Sequence, residues 1–209
     1  MKATEEPVTT HSLQRKLIEL TIASEAIIDS FVHALDLREH EVEGHTARVA
    51  ELTLRLARSF KLTEAQLSDI KHGALLHDIG KMGIPDYVLQ KPSGLDDEEW
   101  ALMRKHPQIA YDLLSPVAYL NGALDIPFCH HEKWNGTGYP QGLSGEQIPL
   151  GARIFAVVDV WDALTSDRAY RKAWTKAEAL EHILSQSGIH FDPVVMERFV
   201  DLQKKENKE

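Results

Sequence analysis

Only one cysteine, Cys129, occurs in 209 residues, so no internal disulfide is available and the chain fits a reducing, cytoplasmic setting. No apolar run approaches the ~18–20 residues that a membrane-spanning helix needs. The first residues are polar and contain a proline, with no apolar signal region. Basic residues are the minority: 23 Lys and Arg stand against 32 Asp and Glu, for a net charge of −9. That balance argues against a nucleic-acid polymer as the main partner. A small phosphorylated substrate is still compatible, because bound cations and a few local Arg or Lys can reverse the field inside a cleft. No stretch alternates with period two, and no internal repeat is found.

What the chain does have is helical periodicity and histidine. Residues 13–37 place Leu13, Leu17, Leu20, Ile27 and Phe31 at three-to-four spacing, widened by Ile18, Ile22, Ile28, Val32 and Leu35. A helix this apolar needs cover on more than one side, from the domain or from a second copy in a homodimer. Residues 39–60 continue helical, with Gly44 as a candidate break. Thr63 with Gln66, Asp96 with Glu99 and Thr175 with Glu178 have capping-box spacing. Asp192 before Pro193 opens the last helix. Pro107 should kink the helix that follows Asp96. Residues 117–131 read as one helix, 133–149 as a long functional loop, and Leu150 to Leu164 as a buried helix. The chain therefore divides into a tail and helix over 1–38, serving as linker or dimerisation arm, and an all-α domain over 39–209.

Eleven histidines are many for this length. His77-Asp78 lies at a helix end, and His130-His131 precedes a loop containing Gly136, Gly138, Tyr139 and Pro140. Imidazole and carboxylate together suit a borderline divalent metal, and a carboxylate can bridge two ions about 3.5–4 Å apart. His45, His77, Asp78, His106, His130, His131 and Asp159 are too many donors for one ion and about right for two; Glu41 would serve a third. The lack of thiolates argues against a structural zinc knot. Cys129 reads as a small packed residue, Trp161 as core, and His190 as the entry to a capped helix. Asp162 is either a partner of the ligands or helix surface, while His11, His33, His40, His72 and His182 are assigned no metal role.

His77-Asp78-Ile79-Gly80-Lys81, residues 130–140, the run from Asp159 through Arg168 and Arg171 to Ala173, and Gly188-Ile-His-Phe-Asp-Pro193 closely resemble the HD-GYP family. The resemblance covers roughly residues 40–200. It implies an all-helical HD-domain bundle and hydrolysis of the bacterial second messenger cyclic di-GMP to pGpG or GMP. It implies two or three divalent transition metal ions, iron or manganese, held by the seven residues named above, with Glu41 marking three-metal members. Asp78 and Lys81 would be catalytic, with Lys81 on the scissile phosphate. Tyr139, Arg168 and Arg171 would contact the nucleotide, and loop 133–149 would meet a diguanylate cyclase partner. Ala169, where the family usually has proline, and Asn135, where it usually has aspartate, are local departures. Alternative readings are a cyclic-dinucleotide receptor or scaffold with little turnover, and a hydrolase acting on another cyclic dinucleotide.

Overall fold

Side-chain caps at Thr63, Asp96 and Thr175 set the starts of three helices. The computed structural model of the chain describes residues 10–39, 44–167 and 171–206. Among them ten α-helices occur: α1 (Thr10–Glu39), α2 (His45–Ala57), α3 (Glu64–Leu75), α4 (Asp86–Leu89), α5 (Asp97–Met103), α6 (His106–Leu114), α7 (Asp125–Cys129), α8 (Leu150–Thr165), α9 (Lys176–Ser185) and α10 (Pro193–Glu206). Reciprocal capping boxes open α3, α5 and α9 at Thr63, Asp96 and Thr175. No strand forms among the described residues, so the all-α expectation holds. None of these helices is long and apolar enough to cross a membrane.

The core is built around α8. Ile154, Phe155, Val157 and Val158 are fully buried there, as expected of a helix that is apolar nearly all round. Helices α2, α7, α9 and α10 pack against it, with Leu56, Ile126, Ile183 and Phe199 turned inward. A second cluster joins Ile28 of α1 to Leu76, Ile79, Ala110 and Leu114. Helix α1 therefore lies on the domain through Ile28 and Leu35, while Leu13, Leu17, Leu20, Ile27 and Phe31 face outward, each more than half exposed. Glu25 adds an ion pair to Lys71 at 2.6 Å and a contact to buried His72.

Two expectations about elements need correction, and the candidate break at Gly44 is met. The helical run over 39–60 is interrupted: Gly44 has φ of 78°, a left-handed conformation that a helix cannot contain, and α2 starts after it. Residues 117–131 are a 3-10 turn, Ala118–Ala123, followed by the short α7. Pro127 explains the split, because it lacks an N–H and its ring would clash with the carbonyl of Ala123 in a continuous helix. Helix α3 ends at Leu75, so His77 and Asp78 lie in the turn beyond it, ahead of a 3-10 turn over Ile79–Gly83. Pro107 behaves as expected, separating α5 from α6.

Candidate metal centre

Gly80 lets two of the site's elements meet. A Cβ at Gly80 would lie 1.9 Å from the His106 carbonyl oxygen and 2.6 Å from the Ala110 amide, so the start of α6 rests directly on the Ile79–Gly83 turn. That approach carries His106 to Asp78. The end of α7 brings His130 and His131 from one side, and α2 and α8 bring His45 and Asp159 from the other. The result is two donor groups. Asp78, His106, His130 and His131 form one, and His45, His77 and Asp159 form the other.

Asp78 joins them. Its Oδ1 lies 3.4 Å from His106 Nε2 and 3.6 Å from His130 Nε2, while its Oδ2 lies 3.1 Å from His77 Nε2 and 2.7 Å from Lys81 Nζ. One carboxylate thus presents one oxygen to each histidine group, as a bridging ligand would. On the far side His45 Nε2 is 3.7 Å from Asp159 Oδ1.

The tautomers suit metal ligation. Nδ1 of His77, His106 and His130 lies 2.8, 2.8 and 3.0 Å from the carbonyl oxygens of Ala74, Met103 and Ile126. A carbonyl only accepts, so each Nδ1 carries a proton and donates it, leaving Nε2 directed at the cluster. His45 Nδ1 is likewise held by Asp162 Oδ2 at 2.7 Å. His106 Nε2 and His130 Nε2 stand only 3.3 Å apart. Burial, with smaller effects of His130 and Lys81, pushes His106 down to about 4 against the pull of Asp78. Burial also holds His131 well below its ordinary value, helped by His130 and His106. Lone pairs of neutral imidazoles converging beside a carboxylate are the donor set that a divalent cation requires.

The second group favours positive charge as well. Burial alone would lower His77, but the charge and hydrogen bond of Asp78, then Asp159, raise it to about 9. Asp78 is held well below the usual carboxylate range, because Lys81 and His77 outweigh the effect of its burial. Cys129 stands outside both donor groups, and burial, then Asp125 and Glu132, push its thiol up to about 12.

Seven of the eight expected metal ligands are therefore brought together, and Glu41 lies outside the described residues. Tyr139 packs its ring on His131, centroids 4.7 Å apart, and Arg104 lies 5.7 Å from the Tyr139 ring centroid. Burial, reinforced by Asp78, pushes the Tyr139 hydroxyl up to about 12, so it remains a donor. Arg171 is engaged elsewhere: it donates to the Ala163 and Leu164 carbonyls at the end of α8 and lies over Trp174. Arg168 falls outside the described residues. His190 contributes its backbone, accepting from the Trp134 amide at 2.9 Å, in keeping with a structural role.

Two supporting residues were undervalued by the sequence. Asp162 is buried, and it accepts from Arg48 Nε at 2.8 Å as well as from His45; these hydrogen bonds hold it at about 2 although burial works to raise it. Glu132, 2% exposed, accepts from the amides of Gln141, Gly142 and Leu143 at 2.7, 3.2 and 3.0 Å, anchoring the loop that carries Tyr139. The available signal for Glu132 was its place, an acid directly after two ligands and before a glycine-rich segment whose amides need acceptors.

The sequence pattern of the family described as HD domain matches residues 29–195. The chain belongs to the HD-domain family. Among relatives, this HD domain is 39% identical over 209 residues to a protein named cyclic di-GMP phosphodiesterase from Vibrio cholerae serotype O1, covering 93% of this chain and 42% of the relative. It is 38% identical over 187 residues to the 3'3'-cGAMP-specific phosphodiesterase 2 of the same organism, covering 88% of this chain and 36% of that protein. The chain thus spans less than half the length of either. The crystal structure of the V. cholerae cyclic GMP-AMP specific phosphodiesterase V-cGAP3 shares the fold, with a TM-score of 0.68 at 24% identity over 85% of this chain and 48% of that one. The HD-GYP resemblance drawn from residues 77–81 and 130–140 therefore holds.

Proposed function

We propose that this HD domain is a metal-dependent phosphodiesterase hydrolysing cyclic di-GMP to pGpG or GMP. The observation that carries the reading is the Asp78 carboxylate, with one oxygen toward each of two histidine groups and Lys81 beside it. Two divalent ions, iron or manganese, supply water activation at neutral pH and neutralise phosphodiester oxygens when bound. His106, His130 and His131 would hold one ion and His45, His77 and Asp159 the other, with Asp78 between them. Glu41 is the ligand proposed for a third ion. Lys81 meets the scissile phosphate as a point charge. Tyr139, fixed on His131, offers a ring face and a protonated hydroxyl to the nucleotide. Arg168 and Arg171 are the residues proposed to meet phosphate or guanine.

A second reading keeps the chemistry and changes the base: the relative named as 3'3'-cGAMP-specific is about as similar as those named for cyclic di-GMP. A receptor without turnover is disfavoured by the seven donors brought together. The outward stripe of α1 supports a homodimer, and the exposed Asn135, Thr137 and Pro140 of loop 133–149 are the face proposed for a diguanylate cyclase. The single buried thiol is in keeping with a cytoplasmic location.

The test is metal analysis of anaerobically purified protein coupled to product identification with cyclic di-GMP, 3'3'-cGAMP and cyclic di-AMP. Hydrolysis of cyclic di-GMP with at least two ions per chain is expected. Fully metallated protein that leaves cyclic di-GMP intact overturns the reading. Two ions at full occupancy remove the Glu41 assignment. The mass in solution, with and without residues 1–38, decides the dimer.

A further inference from the structure

Arg38, in the last turn of α1, is hydrogen-bonded through all three guanidinium nitrogens. Nη1 donates to the carbonyls of Lys81, at 3.1 Å, and Met82; Nη2 donates to the Ile84 carbonyl at 2.6 Å and to Asp86 Oδ1 at 2.7 Å; Nε donates to the same Asp86 oxygen at 3.2 Å. Five hydrogen bonds match the five donors a guanidinium has. The carbonyls it gathers close the 3-10 turn over Ile79–Gly83, and the first belongs to Lys81 itself. Gln90 returns the contact, donating from Nε2 to the Arg38 carbonyl at 3.1 Å.

We infer that Arg38 is a positioning residue for Lys81, so that the seating of α1 sets how well the metal centre works. The inference rests on the phosphodiesterase reading of Lys81. Helix α1 grips the segment that carries His77, Asp78 and Lys81 at both ends. Glu25 holds Lys71 and His72 before it, Ile28 packs on Leu76 and Ile79 within it, and Arg38 closes its far end. A rigid helix pinned at both ends transmits a shift or rotation to the turn, because hydrogen bonds near 3 Å tolerate little displacement. The N-terminal half of α1, with its exposed Leu13, Leu17 and Leu20, is where such a displacement would be imposed. Lysine cannot replace Arg38: one ammonium cannot span the Lys81 and Ile84 carbonyls and Asp86 together.

The experiment uses the full chain with Arg38→Gln, Arg38→Lys and Asp86→Asn, each alone and with Lys81→Met. Metal content, kcat and KM on cyclic di-GMP, and amide hydrogen exchange over residues 79–84 are measured. With Lys81 present, Arg38→Gln is expected to lower kcat roughly 10- to 100-fold, the scale of a small misplacement of a catalytic group. Metal content should stay at the wild-type level, and the Lys81 and Ile84 amides should exchange faster while those of α8 do not change. Asp86→Asn, which leaves the arginine in place, should give a smaller change of the same kind. In the Lys81→Met background Arg38→Gln should cost no further activity. An equal loss in that background, or unchanged exchange at 79–84, overturns the inference. Wild-type protein that hydrolyses no cyclic dinucleotide counts against the phosphodiesterase reading alone, and exchange at 79–84 in Arg38→Gln then decides the clamp.

Discussion

Lys81 Nζ lies 2.7 Å from Asp78 Oδ2, three residues away across a 3-10 turn. The pair places an ammonium charge against the carboxylate that joins the two histidine groups, and of the two only Asp78 is proposed as a ligand. Substitutions should therefore separate metal binding from turnover. Lys81→Met is expected to keep full metal content and lose on the order of 10²-fold in kcat, typical of removing one preorganised charge. Asp78→Ala should lose both. Elemental analysis and initial rates on the same preparations check this; robust turnover by Asp78→Ala would sink the assignment.

Gly80→Ala should damage the site without touching a ligand. Its methyl would need the space of the His106 carbonyl, so α6 must move away from the turn. Loss of metal from the His106, His130 and His131 side is expected before loss of the fold. Cobalt titration of the folded variant would read it as a missing high-affinity site; wild-type stoichiometry would refute the packing argument.

Glu132→Gln tests the loop anchor. Three backbone amides converge on the Glu132 carboxylate, and an amide side chain supplies one acceptor oxygen where the carboxylate supplies two. Leaving a buried donor unmatched costs about 1–3 kcal/mol. Urea unfolding should show that loss, and limited proteolysis should cut within residues 133–149. The KM for cyclic di-GMP should rise, since Tyr139 rides on the same loop.

The tie between α1 and α3 should weaken in acid. Burial works to raise Glu25, but the hydrogen bonds and charges of Lys71 and His72 hold it below its ordinary value. A carboxyl lowered in the folded state contributes stability above its unfolded value, near 4.5, and loses it as pH falls through the folded one. The difference in urea midpoint between wild type and Glu25→Gln should be full at pH 7 and shrink below about pH 4.5. A difference that grew in acid would contradict the assignment.

What the sequence determined by itself is chemistry and local order. Capping pairs at Thr63, Asp96 and Thr175 act within four residues, so they were legible without tertiary contacts, as was the buried character of α8. The candidate donor set was legible because His77-Asp78 and His130-His131 occur in motifs whose residue types suit a metal. The tertiary structure decided what depends on contacts distant in sequence. It gave Asp78 one oxygen for each histidine group, which required α6 to rest on Gly80. It seated Asp162 behind His45 across 117 residues and placed Arg38 on the Lys81 turn across 43. It also left Leu13, Leu17 and Leu20 exposed in the first half of α1 and buried Ile28 and Leu35 in the second. Periodicity shows that a helix has an apolar face, but how much of that face meets the domain is settled by packing, and packing is a property of the whole chain.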